Sequence, residues 1–249
     1  MEDDVEMDRL DKILSNFGSL TRSKAKEYLK KGRITVDGKV EKDGSVKLGS
    51  DAEVAIDLNV ISREKYRYYM LNKPKGYISS TLNDENDGSP NVISLFKNED
   101  IKGLFPVGRL DKDTTGLLIV TNDGELGHAL TSPARHVDKV YLAKVDKILS
   151  EKDAEAFREG FEFKDFTSKP AGLEIVSTDE NGTSFAKVTV REGKFHQVKR
   201  MFLKRNCTVL ELKRLQMGSI KLDESLREGE YRKLTEEEVN FLRFCCIKN

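Results

Sequence analysis

Cysteine and histidine are scarce in this chain of 249 residues, which contains three of each. These residues are Cys207, Cys245, Cys246, His128, His136 and His196. The cysteines are odd in number and none belongs to a Cys-x-x-Cys pair, so neither a disulfide framework nor a zinc site is expected. The histidines lack metal-ligand spacing with one another or with the cysteines. We therefore expect ordinary thiols and a reaction that needs no metal.

Three further features are missing. The chain has no glycine-rich nucleotide-binding fingerprint, so no cofactor is expected. No apolar run approaches the length of a membrane span, and the N-terminus is acidic where a secretory signal would be basic and then apolar. The chain of 249 residues is long enough for two domains or one large one, and its hydrophobic content of 37% suffices for a core. We expect a cytoplasmic, globular protein with no membrane contact, and a monomer.

A net charge is also lacking, because 43 Lys and Arg residues balance 43 Asp and Glu residues. The distribution is nevertheless uneven. Six basic residues and one acid lie in residues 21–33, and seven basic residues and one acid lie in residues 194–214. The counter-charge is concentrated in residues 2–11, 84–87 and 223–238. Two basic patches on a neutral protein favour RNA binding, although charge runs are more often solvated helix faces.

The N-terminal residues predict a small module of two helices and a hairpin. Apolar positions at helical spacing predict a helix over residues 8–17. Thr21 is expected to cap a second helix, which runs through residue 31 and ends at Gly32. The Asp37-Gly38 pair predicts a hairpin turn after a short strand, and residues 53–56 predict a further strand. The apolar residues of the first helix are Leu10, Ile13, Leu14 and Phe17.

The rest of the chain predicts many short strands and few helices. We place the first domain at residues 1–57, a linker at 58–65 and the second domain at 66–249. The pattern lacks regular βαβ alternation, so the fold class is α+β. The predicted strands cover residues 66–71, 117–121, 141–145, 173–177, 185–190 and 208–215. The predicted helices cover residues 151–160 and 196–205.

The most informative segment is the loop before the apolar strand at residues 117–120. Asp111 lies beside Arg109 in this loop, and Gly108 and Gly116 bracket it, where unusual backbone angles are tolerated. A carboxylate held in this way is a candidate reactive group. A loop aspartate is, however, more often a turn or cap residue, so neighbouring segments must decide.

Four blocks resemble the motifs of RNA pseudouridine synthases, in that family's order. Residues 105–111 (FPVGRLD) and 114–117 (TTGL) resemble its catalytic loop, in the branch that contains the ribosomal small-subunit enzyme. Residues 71–77 (LNKPKGY) resemble the first motif, 139–141 (KVY) the tyrosine element and 192–201 (EGKFHQVKRM) the third motif. The N-terminal module resembles an S4 RNA-binding domain, so the resemblance covers nearly the whole chain.

The resemblance implies a fold and a set of catalytic roles. An S4 (αL-like) domain would precede a catalytic domain built on a mixed, mainly antiparallel sheet with flanking helices. Asp111 would be the essential catalytic residue, with nucleophilic attack and a glycal-type path both open. Lys199 would pair with it, since burial alone would raise the pKa of the carboxyl. Tyr141 would stack on the uracil. Without the resemblance, Lys199 would be interpreted as a surface lysine and Tyr141 as a core residue.

The resemblance also implies residues that contact the substrate. Arg109 would contact phosphate or fill the space of the extruded base; the alternative is a salt bridge with Asp113 or a nearby acid. Leu212 would form the apolar wall of the pocket; the alternative is an ordinary core residue. Lys73 resembles scaffold behind the catalytic loop and, with Arg200, completes the predicted substrate-binding set.

The N-terminal module is expected to bind RNA through its basic side chains. Phosphate-facing cations supply affinity but little sequence choice. The alternative is a solvated helix on a small domain. The predicted RNA-binding residues are Arg9, Lys12, Arg22, Lys24, Lys26, Lys30, Lys31 and Arg33.

Subclass features favour ribosomal small-subunit RNA as the partner. Residues 113–115, 130–133 and 139–141 resemble the small-subunit version, and the chain stops at residue 249 without a long basic tail. The resemblance implies one uridine of 16S RNA, of the uridine-516 type, free or in an early assembly particle. A 23S enzyme of the same branch is the alternative.

Two further functional classes are alternatives to a pseudouridine synthase. A non-catalytic RNA-binding assembly factor would have no physical reason to keep Asp111, Tyr141 and Lys199. An S4-containing RNA methyltransferase would need a glycine-rich cofactor loop, which is absent from the sequence.

Overall fold

The chain folds into two compact units, Met1–Lys65 and Tyr66–Asn249. The computed structural model describes residues 7–18, 20–61, 63–64, 66–97, 99, 101–132 and 135–247. The acidic run at residues 2–11, the linker at 58–65 and the block at 130–133 therefore lie partly outside the described residues, and the side chains of Cys245 and Cys246 lie outside them. Within the described ranges, no helix is long and apolar enough to span a membrane.

The first unit combines two helices with two small antiparallel sheets. One sheet pairs β1 with β4, and the other has the strand order β3-β2-β5-β6. A core of eight buried side chains from the helices and strands fills the space between them. The elements are β1 (Asp8–Arg9), α1 (Leu10–Asn16), α2 (Arg22–Lys30), β2 (Ile34–Val36), β3 (Lys39–Val40), β4 (Lys47–Leu48), β5 (Val54–Ile56) and β6 (Asn59–Val60).

Local signals explain this unit. The Thr21 hydroxyl accepts a hydrogen bond from the backbone N–H of Lys24 at 3.3 Å, which confirms the predicted cap. Asp37 and Gly38 have φ angles of 49° and 75°, as a type I′ turn between β2 and β3 requires. The first helix begins later than predicted. Asp8 and Arg9 instead form β1, whose backbone pairs antiparallel with β4.

The second unit is built on a mixed sheet with the strand order β11-β12-β10-β13-β9-β7-β15; β14 also pairs with β13 and β8 with β9. Its elements are β7 (Tyr68–Lys73), β8 (Phe105–Pro106), β9 (Thr115–Thr121), α3 (Gly124–Thr131), β10 (Lys139–Val145), α4 (Glu151–Glu159), β11 (Gly172–Thr178), β12 (Ser184–Val190), α5 (Gln197–Lys204), β13 (Val209–Met217), β14 (Ile220–Lys221), β15 (Tyr231–Lys233) and α6 (Glu236–Ile247).

Helices cover both faces of this sheet. Strand β9 is buried on both sides: Leu118 faces one hydrophobic cluster and Leu117 faces the other. Helices α4 and α5 contribute Phe157 and Phe202 to the first cluster, while α3 and α6 complete the second. A strand covered on both faces reads as a continuous apolar run, which is why the sequence predicted β9.

The sheet is antiparallel except at one pair. Strands β13 and β9 run parallel, with Arg214 opposite Gly116. A Cβ at Gly116 would lie 2.3 Å from the carbonyl oxygen of Arg214, and its φ of +98° also favours glycine. Only glycine therefore lets the end of the loop that carries Asp111 approach β13 this closely.

The six predicted strands and two predicted helices of this unit are confirmed, with bounds shifted by one to two residues at most ends. Helices α3 and α6 were not predicted. The Asp123 carboxylate accepts a hydrogen bond from the Leu126 N–H and caps α3. Gly124 and Gly127 lower the helix propensity of this segment, which hid the helix from sequence analysis.

Candidate active site

The loop that carries Asp111 connects β8 to β9 and is held from behind by Lys73. The Lys73 side chain is fully buried, and its Nζ donates to the carbonyl oxygens of Pro74 at 3.0 Å and Thr114 at 2.9 Å. Burial lowers the pKa of Lys73 to about 8. The structure therefore places Lys73 behind the loop, as scaffold, and not on the surface that a substrate reaches.

A serine fastens the same loop from another side. The Ser79 hydroxyl donates to the carbonyl oxygen of Leu110 and accepts from its N–H, both at 2.9 Å. This reciprocal pair lies directly before Asp111 in the chain, so the backbone that presents the carboxylate is held at the preceding residue.

Lys199 is the cation beside Asp111. Its Nζ lies 3.1 Å from Oδ2 of Asp111 and 2.6 Å from Oδ1 of Asp113. Burial opposes the charge of this lysine, but hydrogen bonds to Asp113 and Asp111 outweigh it and raise the pKa of Lys199. The pKa of Asp113 is lowered: its partial burial is outweighed by the bond from Lys199. The predicted pairing of Lys199 with Asp111 is present, and Asp113 shares the lysine.

His196 is a second neighbour of Asp111 that sequence analysis missed. Its Nε2 lies 3.5 Å from Oδ1 of Asp111, and its ring stacks on Phe195 with centroids 3.8 Å apart. His196 precedes α5 with a left-handed φ of 51°, a conformation uncommon for non-glycine residues. The block at 192–201 contains both residues, but nothing in its spacing indicates which side chain meets Asp111.

Three other predicted site residues, Arg109, Tyr141 and Leu212, line a cavity of about 60 Å³ at Asp111. Tyr141 of β10 and Leu212 of β13 are buried in its wall, with exposures of 8% and 6%. Tyr141 pairs with Arg214, and Leu212 pairs with Ala143, so Tyr141 and Leu212 are diagonal neighbours on one face of the sheet. Asp111, Tyr141, Lys199, Arg109 and Leu212 therefore line one cavity.

Arg109 is exposed at this cavity and makes no ion pair or side-chain hydrogen bond within the described residues. The alternative interpretation of a salt bridge between Arg109 and Asp113 is wrong, because Asp113 binds Lys199 instead. The guanidinium of Arg109 is thus available to a ligand anion.

Arg200 does not reach the cavity. It pairs with Asp165, and its guanidinium lies over the rings of Phe163 and Phe166, at 4.6 and 4.9 Å from their centroids. Successive residues on a helix point about 100° apart, so Lys199 and Arg200 face different neighbours. The structure gives Arg200 a place on the flank of the site and not among the residues around Asp111.

The predicted RNA-binding residues of the first unit fall into two groups. Four form ion pairs inside the unit: Arg9 with Asp11, Lys12 with Asp8, Lys31 with Glu27 and Arg33 with Asp57. The side chains of the other four have no ion pair or hydrogen bond to any described residue. These four are Arg22, Lys24, Lys26 and Lys30.

A groove of about 1150 Å³ runs along the same unit. Five predicted cations line it, together with Lys42, which sequence analysis did not single out. The five are Arg9, Lys12, Arg22, Lys26 and Lys30. Lys24, Lys31 and Arg33 lie outside the groove. Among the described residues, no cluster of three or more His, Cys, Asp or Glu side chains could hold a metal ion.

Comparisons with known proteins give matches over both units of the chain. The RNA pseudouridylate synthase family matches residues 67–204, and the S4 domain matches residues 8–54. An RNA pseudouridine synthase of Bacillus subtilis (strain 168), YtzG, described as uncharacterized, is 40% identical; the match covers 94% of this chain and 98% of the relative. Ribosomal small subunit pseudouridine synthase A of Escherichia coli (strain K12) is 40% identical over 93% and 98%. A crystal structure described as pseudouridylate synthase is 38% identical, covers 94% of this chain and 99% of its own, and has a TM-score of 0.65.

Proposed function

This chain belongs to the RNA pseudouridylate synthase family, and from that premise we propose that it converts one uridine of small-subunit ribosomal RNA to pseudouridine. The predicted family, the S4 domain and the α+β fold class are confirmed by the matches over both units. The chain is therefore an RNA pseudouridine synthase, which is an isomerase. The substrate, the catalytic residues and the order of events are the proposal.

The choice of small-subunit RNA is supported by relatives. Proteins named ribosomal small subunit pseudouridine synthase A are about 40% identical over nearly their whole length. The sequence blocks at residues 113–115 and 139–141, which resemble the small-subunit version, also favour this subclass. The proposed target is a uridine of the uridine-516 type in 16S RNA.

The reaction is an isomerisation that needs no external group. The C1′–N1 bond of the nucleotide breaks, the uracil turns while it stays bound, and a C1′–C5 bond forms. The C5 proton is released and N1 regains a proton, so atoms and electrons balance. An aspartate can split such a glycosidic step in two by acting as nucleophile, or it can act as base.

The contact between Asp111 and Lys199 is the observation that carries the proposal. A carboxylate acts as nucleophile or base in its charged form, and the ammonium group of Lys199 lies 3.1 Å from Asp111 and compensates that charge. Tyr141 and Leu212 line the same cavity and offer a ring and an apolar side chain against which a uracil would pack.

The position of Asp111 requires that the target base leave its stack. Its side chain is only 27% exposed and borders a cavity of about 60 Å³, which a base within a helix cannot enter. We propose that Arg109 contacts a phosphate beside the extruded nucleotide. The cations of the first unit would hold the surrounding RNA through its backbone.

The deciding experiment incubates purified protein, in the presence of a chelator, with small-subunit and large-subunit RNA and then maps pseudouridine in both. Modification of one small-subunit uridine supports the proposal. Modification confined to large-subunit RNA would keep the chemistry but overturn the substrate. Tight RNA binding without any product would favour the assembly-factor alternative.

A further inference from the structure

A second cavity adjoins Asp111 on another side of the catalytic loop. Its volume is about 440 Å³, within the usual range for ligand sites. Residues 78–80 and Asp84 form one wall, and Phe195 and His196 form another. This cavity shares four residues with the smaller cavity that contains Tyr141. The shared residues are Arg109, Leu110, Asp111 and His196.

Phe195 gives this cavity an aromatic surface. The ring stacks on His196 at an interplanar angle of 17°, yet 68% of the residue remains exposed. One face of the ring is therefore covered by the imidazole while most of the side chain is open to the cavity and to solvent. Exposed aromatic rings are the platforms on which unstacked RNA bases bind.

Arg109 connects the two cavities electrostatically. It lines both, and its guanidinium has no ion pair within the described residues. The larger cavity also contains a carboxylate, that of Asp84, which accepts hydrogen bonds from the N–H groups of Asn86 and Asp87. Lys112 also lines the larger cavity, but its Nζ is paired with Asp87 at 2.7 Å. An anion would be repelled at Asp84 and attracted at Arg109. A phosphate should therefore lie at the Arg109 end, and a neutral group should lie further in.

A dinucleotide step fits this arrangement. Two consecutive nucleotides share one phosphate, and one cation lies where the two cavities meet. We propose that the larger cavity binds the nucleotide next to the target uridine, with its base stacked on Phe195 and the linking phosphate on Arg109. This inference rests on the proposed function, since it assumes that the target base occupies the cavity beside Tyr141.

The test measures binding and does not require turnover. Short single-stranded RNAs with a central uridine carry an abasic position at one flanking site at a time. Their dissociation constants are measured with wild type, Phe195→Ala, Phe195→Tyr and Leu203→Ala. Leu203 is the matched control, because it is 67% exposed on α5 and lines neither cavity.

We expect Phe195→Ala to weaken binding of the intact RNA roughly 10-fold, whereas Phe195→Tyr and Leu203→Ala stay close to wild type. An abasic site at one flank should cost wild type a similar factor and cost Phe195→Ala nothing further, because both changes remove the same contact.

Equal losses for Phe195→Ala and Leu203→Ala, or abasic effects that add to Phe195→Ala at every position, would overturn the subsite. Pseudouridine formation is assayed separately on the same RNAs. A flank that couples to Phe195 without any product would keep the subsite and contradict the proposed function, so the two failures are distinguishable.

Discussion

The Nζ of Lys199 lies 3.1 Å from Oδ2 of Asp111, and this contact joins helix α5 to the loop before β9. Lys199 is shared, since Asp113 lies 2.6 Å away on its other side. The shared cation allows the two carboxylates to be compared directly. Only Asp111 borders the cavity that contains Tyr141, while Asp113 is 59% exposed.

Asp111→Asn is expected to lower kcat at least about a thousandfold while leaving the fold and RNA binding intact, because the amide keeps the shape and loses the reactive charge. Asp113→Asn is the matched control and removes the same charge beside the same lysine. The control should lower kcat far less than Asp111→Asn does. Single-turnover pseudouridine assays measure both, and activity of Asp111→Asn within tenfold of wild type would remove it from the mechanism.

Lys199→Met should lower kcat by roughly a hundredfold, because it removes the ammonium group that pairs with the Asp111 carboxylate. Lys204→Met on the same helix should leave kcat unchanged, since Lys204 is exposed and lies 5.7 Å from the Phe163 ring, away from the carboxylates. We expect it to weaken RNA binding. Similar, mild effects of both changes on kcat would contradict the assigned role of Lys199.

The RNA affinity of the first unit should depend on its unpaired cations. Lys26 lines the groove and has no ion pair to a described residue, whereas Lys31 lies outside it and binds Glu27 at 2.7 Å. The RNA affinity falls as salt rises, and Lys26→Ala should make the slope of log K against log salt less steep by about 0.7 to 0.9, the value of one lost phosphate contact. Lys31→Ala should change the slope less. Salt titrations of binding measure both slopes, and the reverse order would place the RNA elsewhere.

The pH dependence of stability should carry the signature of Lys139. Burial, reinforced by the nearby Arg214 charge, lowers the pKa of Lys139 to about 8 in the folded protein, against 10.5 for an ordinary lysine. Between these values the unfolded chain retains a proton that the folded chain has released, so this residue makes the free energy of unfolding rise with pH. Lys139→Met should flatten that rise. Urea unfolding of both proteins from about pH 8 to about pH 10 measures it, and parallel curves would contradict the assignment.

Much of the fold was predictable because its signals are local. The hairpin turn at Asp37-Gly38 needs two residues that tolerate positive φ, and the cap at Thr21 needs one hydroxyl. The strands of the second unit follow from short apolar runs and alternation. Helix α3 was not predicted because Gly124 and Gly127 lower the helix propensity of its segment.

Four motif blocks in their order along the chain were enough to identify the family, and with it the candidates Asp111, Tyr141 and Lys199. Which side chains lie beside one another could be read only from the folded chain. The sharing of Lys199 by Asp113 and the approach of His196 depend on the packing of α5, and the place of Lys73 behind the loop depends on the antiparallel pairing of β7 with β9. These contacts join residues far apart in the chain, so local spacing carries no information about them.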